Sequence, residues 1–231
     1  MLHFWQPFRF AVGEGYNYRR DSLPARAGTV LLRGGASVIL FVYNKLAFGY
    51  RIYGKENLNA CRTDGVITVC NHVHPMDCTM VDLAMHRKRM YYITLESNFR
   101  IPVVRHLIRI LGGVPLSPNP HYMKEMFAEM GNALRAGAAV QIYPEGVLIP
   151  YCKELRKFKT GAFYMAVENQ IPILPLIIVQ KEPDGIFKWY KRKPCLQLHI
   201  LPPLYPPCGM KKKEAIEKMR RDCMENMMRL L

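Results

Sequence analysis

Residues 65–77 read Gly-Val-Ile-Thr-Val-Cys-Asn-His-Val-His-Pro-Met-Asp. The first six make a short apolar run rich in β-branched residues, the pattern of a strand buried on both faces. The run stops on a histidine, and a carboxylate follows five residues later. Pro75 suits the first position of a helix, where its missing N–H costs nothing. That places His74 near the N-cap and Asp77 near the third helical residue, at the positive end of the helix dipole. In open α/β sheets, sites gather at the carboxyl ends of strands. Asp77 can then reach back to His72, accept its Nδ1–H and leave Nε2 as a base. Taken alone, the pair also fits a capping aspartate beside an ordinary turn histidine.

Working outward, strand and helix patterns alternate. Strands are expected within the strand and turn of 49–58, at 65–70, 89–95 and 113–117, and again at 138–146, 171–179 and 195–205. Helices are expected at 27–49, 75–86, 101–113, 121–137 and 160–170, with a closing amphipathic helix from 211 that carries Ile216, Met219, Cys223 and Met227 on one stripe. The expected fold is therefore α/β, a mixed, largely parallel sheet flanked by helices. The one plausible boundary lies near residue 50, giving an N-terminal segment over 1–49 and a domain over 50–231.

Residues 1–24 are aromatic and polar without a clear period, and are expected to be poorly ordered. No cleavable signal peptide is evident. Residues 28–50 are the most apolar stretch, but Arg33, Gly34, Gly35, Asn44 and Lys45 interrupt it. A spanning helix needs roughly 20 nearly uninterrupted apolar residues. The segment is expected instead to form an interfacial helix or helix pair, flanked by Arg19, Arg20, Arg26 and Arg51. A core helix is the alternative.

The 231 residues carry 33 Lys+Arg against 18 Asp+Glu, a formal charge of +15. Such an excess favours an anionic partner: nucleic acid, an anionic membrane or a phosphate-bearing substrate. No nucleic-acid recognition motif accompanies it, so no nucleic-acid partner is expected. Seven cysteines without a CxxC pair read as free thiols in a reducing compartment. Cys70, His72, His74 and Cys78 match no common zinc spacing, and no metal is expected.

The histidine and aspartate stand in a larger set. Tyr143-Pro144-Glu145-Gly146 ends another strand, Lys157-Phe158-Lys159-Thr160-Gly161-Ala162-Phe163 leads a helix, and an apolar proline-containing run follows at 171–176. This ordered set resembles the glycerolipid acyltransferase family typified by 1-acyl-glycerol-3-phosphate acyltransferases, over about residues 50–205. The resemblance implies a glycerol-phosphate acyltransferase-like fold and catalytic residues His72 and Asp77. His72 takes a proton from an acceptor hydroxyl, and the oxygen attacks an acyl thioester. It implies a substrate-binding role for Asn71, Glu145 and Gly146. Acyl-coenzyme A or acyl carrier protein is the expected co-substrate, with no resident cofactor. Backbone N–H groups near the turn are candidates for stabilising the oxyanion. The expected location is a membrane surface on its cytoplasmic face, next to a lysophospholipid acceptor.

Two arginines of the pattern are missing. Ser117 and Pro118 stand where an acidic or polar residue and then Arg are usual. Val147 and Leu148 stand where Thr and Arg are usual. In the family those arginines are associated with the acceptor phosphate, which neither Pro118 nor Leu148 can grip. Lys153, Arg156, Lys157 and Lys159 lie just downstream as replacement cations, Lys157 and Lys159 being taken as substrate-binding. A different lysophospholipid acceptor, or a non-catalytic lipid-binding homologue, are the alternatives.

Overall fold

A computed structural model describes residues 8–61, 64–102 and 104–231. Seven strands among them form one sheet. They are β1 (Arg51–Tyr53), β2 (Val66–Cys70), β3 (Met90–Leu95), β4 (Gly113–Leu116), β5 (Ala139–Ile142), β6 (Ile173–Lys181) and β7 (Cys195–Ile200). The order is β1-β7-β6-β2-β5-β3-β4, and every pairing is parallel except β6 with β7. The largely parallel sheet expected from the sequence is present, and β2 lies inside it between β5 and β6.

The helices are α1 (Leu23–Phe48), α2 (Asp77–Ala84), α3 (Val104–Ile110), α4 (Pro120–Arg135), α5 (Gly161–Asn169), α6 (Phe187–Tyr190) and α7 (Lys212–Met228). They cover both sheet faces, which is why β2 is buried along its whole length. Ile67 and Val69 share a core with Met130 and Leu134 of α4, Phe163 of α5 and Cys223 of α7. Val66 and Cys70 face the opposite core, with Met80 and Val81 of α2. Gly65 opens the strand against α4. A Cβ there would sit 2.0 Å from the Leu134 carbonyl oxygen, so only glycine fits.

Three expectations change. The helix after the turn starts at Asp77, with Met76 as its N-cap, so Asp77 is the first helical residue rather than the third. Pro75 lies in the turn before it. On α7 the buried stripe is Ala215, Met219, Cys223 and Met227, with Ile216 only partly covered. The third change concerns the N-terminal segment. Residues 1–7 lie outside the described residues. From Phe8 onward the segment packs on the domain: Val12 and Tyr18 are buried in the core, and Phe10 stacks on Phe99 at 5.0 Å. The Tyr18 hydroxyl donates to the Tyr122 carbonyl.

The apolar stretch forms one continuous helix, not a pair, and Gly34–Gly35 does not break it. Its 26 residues extend about 39 Å. Over Arg26–Phe48 it is long and apolar enough to cross a membrane. Yet polar bonds pin it to the domain along most of its length. Thr29 donates to the Ile110 carbonyl, Arg33 pairs with Asp82 and donates to the Lys88 carbonyl, and Asn44 bonds Thr79. Those residues share one stripe of the helix. Val30, Leu31, Val38, Ile39, Val42 and Leu46 on its other side are exposed. The helix thus lies along the domain and shows solvent an apolar face.

Starting the chain at Leu23 should lower stability by roughly 3–6 kcal/mol in a denaturant titration, since two buried side chains are lost at about 1.5–3 kcal/mol each. An unchanged midpoint and slope would show that residues 8–22 do not pack as described.

Candidate active site

β2 ends in the middle of the sheet, and its next residues turn sharply into α2. This turn is held from three sides. Asp77 is fully buried beneath it. One oxygen, Oδ2, accepts from His72 Nδ1–H at 3.0 Å, from Val73 N–H at 2.8 Å and from His74 N–H at 2.9 Å. Because an ionised carboxylate carries no proton, Nδ1 of His72 holds the hydrogen. Nε2 makes no hydrogen bond among the described residues, and the side chain is 23% exposed. The ring lies flat against Tyr143, centroids 4.0 Å apart and planes 16° from parallel. His72 therefore has a fixed tautomer, a fixed ring plane and one open nitrogen.

The second side is the loop after β5. Glu145 is buried, and its Oε2 accepts from the His72 backbone N–H at 3.3 Å. Its Oε1 accepts from Arg156 N–H at 3.2 Å, and the Arg156 guanidinium pairs with Oε2 and donates to the Val147 carbonyl. Ile149 N–H and Tyr151 N–H donate back to the carbonyls of His72 and Val73. The third side is Asn71. Its amide donates to the Ile178 carbonyl at 3.0 Å and accepts from Ile178 N–H at 2.8 Å, tying the end of β2 to β6.

These contacts place the expected site residues in the fold. Asn71 is buried and its amide is engaged with Ile178, so it holds the strand end. Glu145 likewise bonds the turn and Arg156. The backbone N–H groups of His72, Val73 and His74 go to carboxylates. That of Met76 goes to His74 Nδ1. Arg156, one of the four candidate cations, is occupied by Glu145.

Gly146 has φ 74°, a conformation that favours glycine. The Lys159 side chain fills the space beside it, where a Cβ would lie 2.7 Å from Nζ. Lys159 is thus brought to the turn with no ion pair among the described residues, while Lys157 is exposed further along. The sequence reading assigned no role to Tyr143, although it stands in the quoted Tyr-Pro-Glu-Gly run.

The electrostatics set limits on the chemistry. Burial pushes the Asp77 carboxyl above its ordinary range, while the hydrogen bonds from His72, His74 and Val73 pull it back. Burial also lowers the pKa of His74, favouring its neutral form and its role as acceptor from Met76. The site offers one histidine with an open nitrogen, oriented by a buried carboxylate, at the carboxyl end of a central strand. That is a general acid–base centre able to activate a hydroxyl.

Comparison with known proteins agrees with this class. Residues 49–179, more than half of the chain, match the model of the acyltransferase family, and the chain belongs to that family. It is 30% identical over 130 residues to the chloroplastic 1-acyl-sn-glycerol-3-phosphate acyltransferase BAT2 of Brassica napus, covering 55% of this chain and 36% of that one. It is 29% identical over 136 residues to the human 1-acyl-sn-glycerol-3-phosphate acyltransferase beta, covering 58% and 48%. The matches thus span about a third to a half of these relatives. The fold is similar to the crystal structure of the 1-acyl-sn-glycerophosphate acyltransferase PlsC of Thermotoga maritima. The TM-score is 0.58 at 22% identity, covering 88% of this chain and 87% of that one.

Two substitutions separate holding from chemistry. Asn71→Ala leaves the buried N–H and C=O of Ile178 unpaired and should cost roughly 2–6 kcal/mol, at about 1–3 kcal/mol for each group. A loss under 1 kcal/mol in a denaturant titration would contradict this role. For Asp77 the sign runs the other way. Its native pKa is raised, so its stability contribution is present below the ordinary value of 3.8 and is lost as pH rises through the raised value. Asp77→Asn should gain on the wild type in melting temperature as pH rises over that window, while any activity falls about 10²–10⁴-fold. A melting-temperature gap that does not move with pH would show that Asp77 is not held as described.

Proposed function

We propose that this chain transfers a fatty acyl group from an acyl thioester to the free hydroxyl of 1-acyl-sn-glycerol-3-phosphate, a step of phospholipid synthesis, at a membrane surface. The observation that carries the reading is the His72–Asp77 pair at 3.0 Å, with Nε2 of His72 left open. Nε2 removes the proton of the acceptor hydroxyl. The oxygen attacks the thioester carbonyl carbon, the tetrahedral intermediate collapses, and the C–S bond breaks. The imidazolium returns its proton to the leaving thiolate. Asp77 keeps Nδ1 protonated and stabilises the imidazolium throughout. The donor is acyl-coenzyme A or acyl carrier protein, as co-substrate and not as a resident cofactor.

Lys159 beside Gly146, and Lys157 beyond it, are the cations proposed to hold the acceptor phosphate. They do so in place of the arginines absent at Pro118 and Leu148. A lysophospholipid with a larger headgroup is the second reading, and Val147 and Leu148 favour it by offering no bidentate grip on a phosphate monoester. The exposed apolar face of α1 supports membrane association, because soluble monomers rarely leave so continuous a face uncovered. Polar anchors from Thr29 to Asn44 favour a helix lying in the interface over one that spans the bilayer. The cytoplasmic face is the proposed side.

The test is thiol release from palmitoyl-coenzyme A in mixed micelles, with lysophosphatidic acid and lysophosphatidylcholine offered in parallel. Release should require lysophosphatidic acid and fall about 10²–10⁴-fold in His72→Ala. Release with lysophosphatidylcholine alone would replace the acceptor. Wild-type release no higher than that of His72→Ala with every donor and acceptor would end the catalytic reading.

A further inference from the structure

Between β6 and β7 the chain forms a short projection, Ile186-Phe187-Lys188-Trp189-Tyr190-Lys191-Arg192-Lys193. It carries four cations and no carboxylate. Three of its apolar or aromatic side chains face outward: Trp189 is 87% exposed, Ile186 72% and Tyr190 53%. A tryptophan in that position gains nothing from the folding of this chain.

The projection is nevertheless firmly seated. Phe187 is buried beneath it. The Tyr190 hydroxyl donates to the Leu46 carbonyl at 2.7 Å, and Lys191 Nζ donates to the Ala47 carbonyl at 2.6 Å. Those carbonyls belong to the last turn of α1, which has no partners of its own for them. Lys191 is therefore engaged, while Lys188, Arg192 and Lys193 stay on the surface. Tyr190 lines an open apolar groove together with Val38, Val42 and Leu46 of α1. The projection thus continues the exposed apolar face of α1 without a gap. It also borders the site, since Lys193 lies over the Tyr151 ring, which is 5.7 Å from His74.

We propose that this projection is a second membrane anchor, with Ile186, Trp189 and Tyr190 entering the interface of an anionic lipid bilayer while Lys188, Arg192 and Lys193 meet its phosphates. The inference rests on the membrane-surface reading above. Aromatic rings with a polar edge settle at the headgroup level, and cations next to them are drawn to anionic lipid. A helix lying in the interface fixes the domain along one axis only and leaves it free to roll about that axis. A second contact beside the end of α1 removes the roll. It sets the side of the domain that carries His74 and His72 against the surface from which a lipid acceptor comes.

The test uses the full chain with Trp5→Phe, which leaves Trp189 as the single tryptophan. It is added to vesicles of phosphatidylcholine, with or without phosphatidylglycerol, carrying a nitroxide lipid labelled near the headgroup. Co-flotation reports binding, and Trp189 emission reports its surroundings. The expected result is a blue shift and nitroxide quenching of Trp189, larger with phosphatidylglycerol. Lys188→Gln should reduce the preference for anionic over neutral vesicles about fivefold. Vesicle-bound protein whose Trp189 keeps a water-like emission and is quenched by aqueous acrylamide overturns the second anchor but leaves the membrane-surface reading intact. Protein that fails to float with either vesicle, yet releases thiol in micelles, overturns both membrane proposals and spares the acyltransferase reading.

Discussion

One oxygen atom, Asp77 Oδ2, organises the site. It draws together a histidine ring and two backbone N–H groups from the strand-to-helix turn, all within 3.0 Å. Its place at the start of α2 adds the favourable field of the helix dipole. The cost is visible in the other oxygen: Oδ1 is buried and makes no hydrogen bond among the described residues. A buried carboxylate satisfied on one oxygen only is an expensive way to make a turn. What it provides is an imidazole whose tautomer and ring direction are set before any substrate arrives, which is the geometry a general base needs.

The other motif residues serve the same turn. Asn71 fastens the strand end to β6, Glu145 holds the His72 backbone, and Tyr143 fixes the ring plane. Glu145 would be an unpaired buried charge without Arg156, so the arginine completes the scaffold and is not left for a ligand. Lys159 is a different case. It covers Gly146 but has no carboxylate partner among the described residues, so its charge remains available at the edge of the site. Asn71, Tyr143 and Glu145 thus form a clamp around one histidine.

α1 shows how composition and attachment can point in different directions. By length and hydropathy it qualifies as a membrane span. Arg33 and Asn44 look like flaws in such a span, yet they are its points of attachment to Asp82 and Thr79. Two of the residues that interrupt the apolar run, Arg33 and Asn44, are thus among those that hold the helix against the domain.

Much of this was legible in the chain itself. A buried parallel strand has no solvent face, so β2 and β6 appear as continuous apolar runs. The nearness of His72 to Asp77 is local, five residues across one turn, and backbone geometry alone brings them together. The N-terminal tail was not legible, because the partners of Val12 and Tyr18 come from distant helices. The roles of Asn71 and Glu145 were also hidden. Asn71 meets Ile178, 107 residues away, through its side-chain amide, and Glu145 selects Arg156 from a cluster of similar cations. The sequence alone determined the strand, the turn and the pairing of base with carboxylate, since these rest on period, propensity and short-range reach. Only the tertiary structure decided which polar groups are consumed in holding that pair and which remain for a substrate. Hydrogen bonds between distant segments are settled by packing, and no local pattern records them.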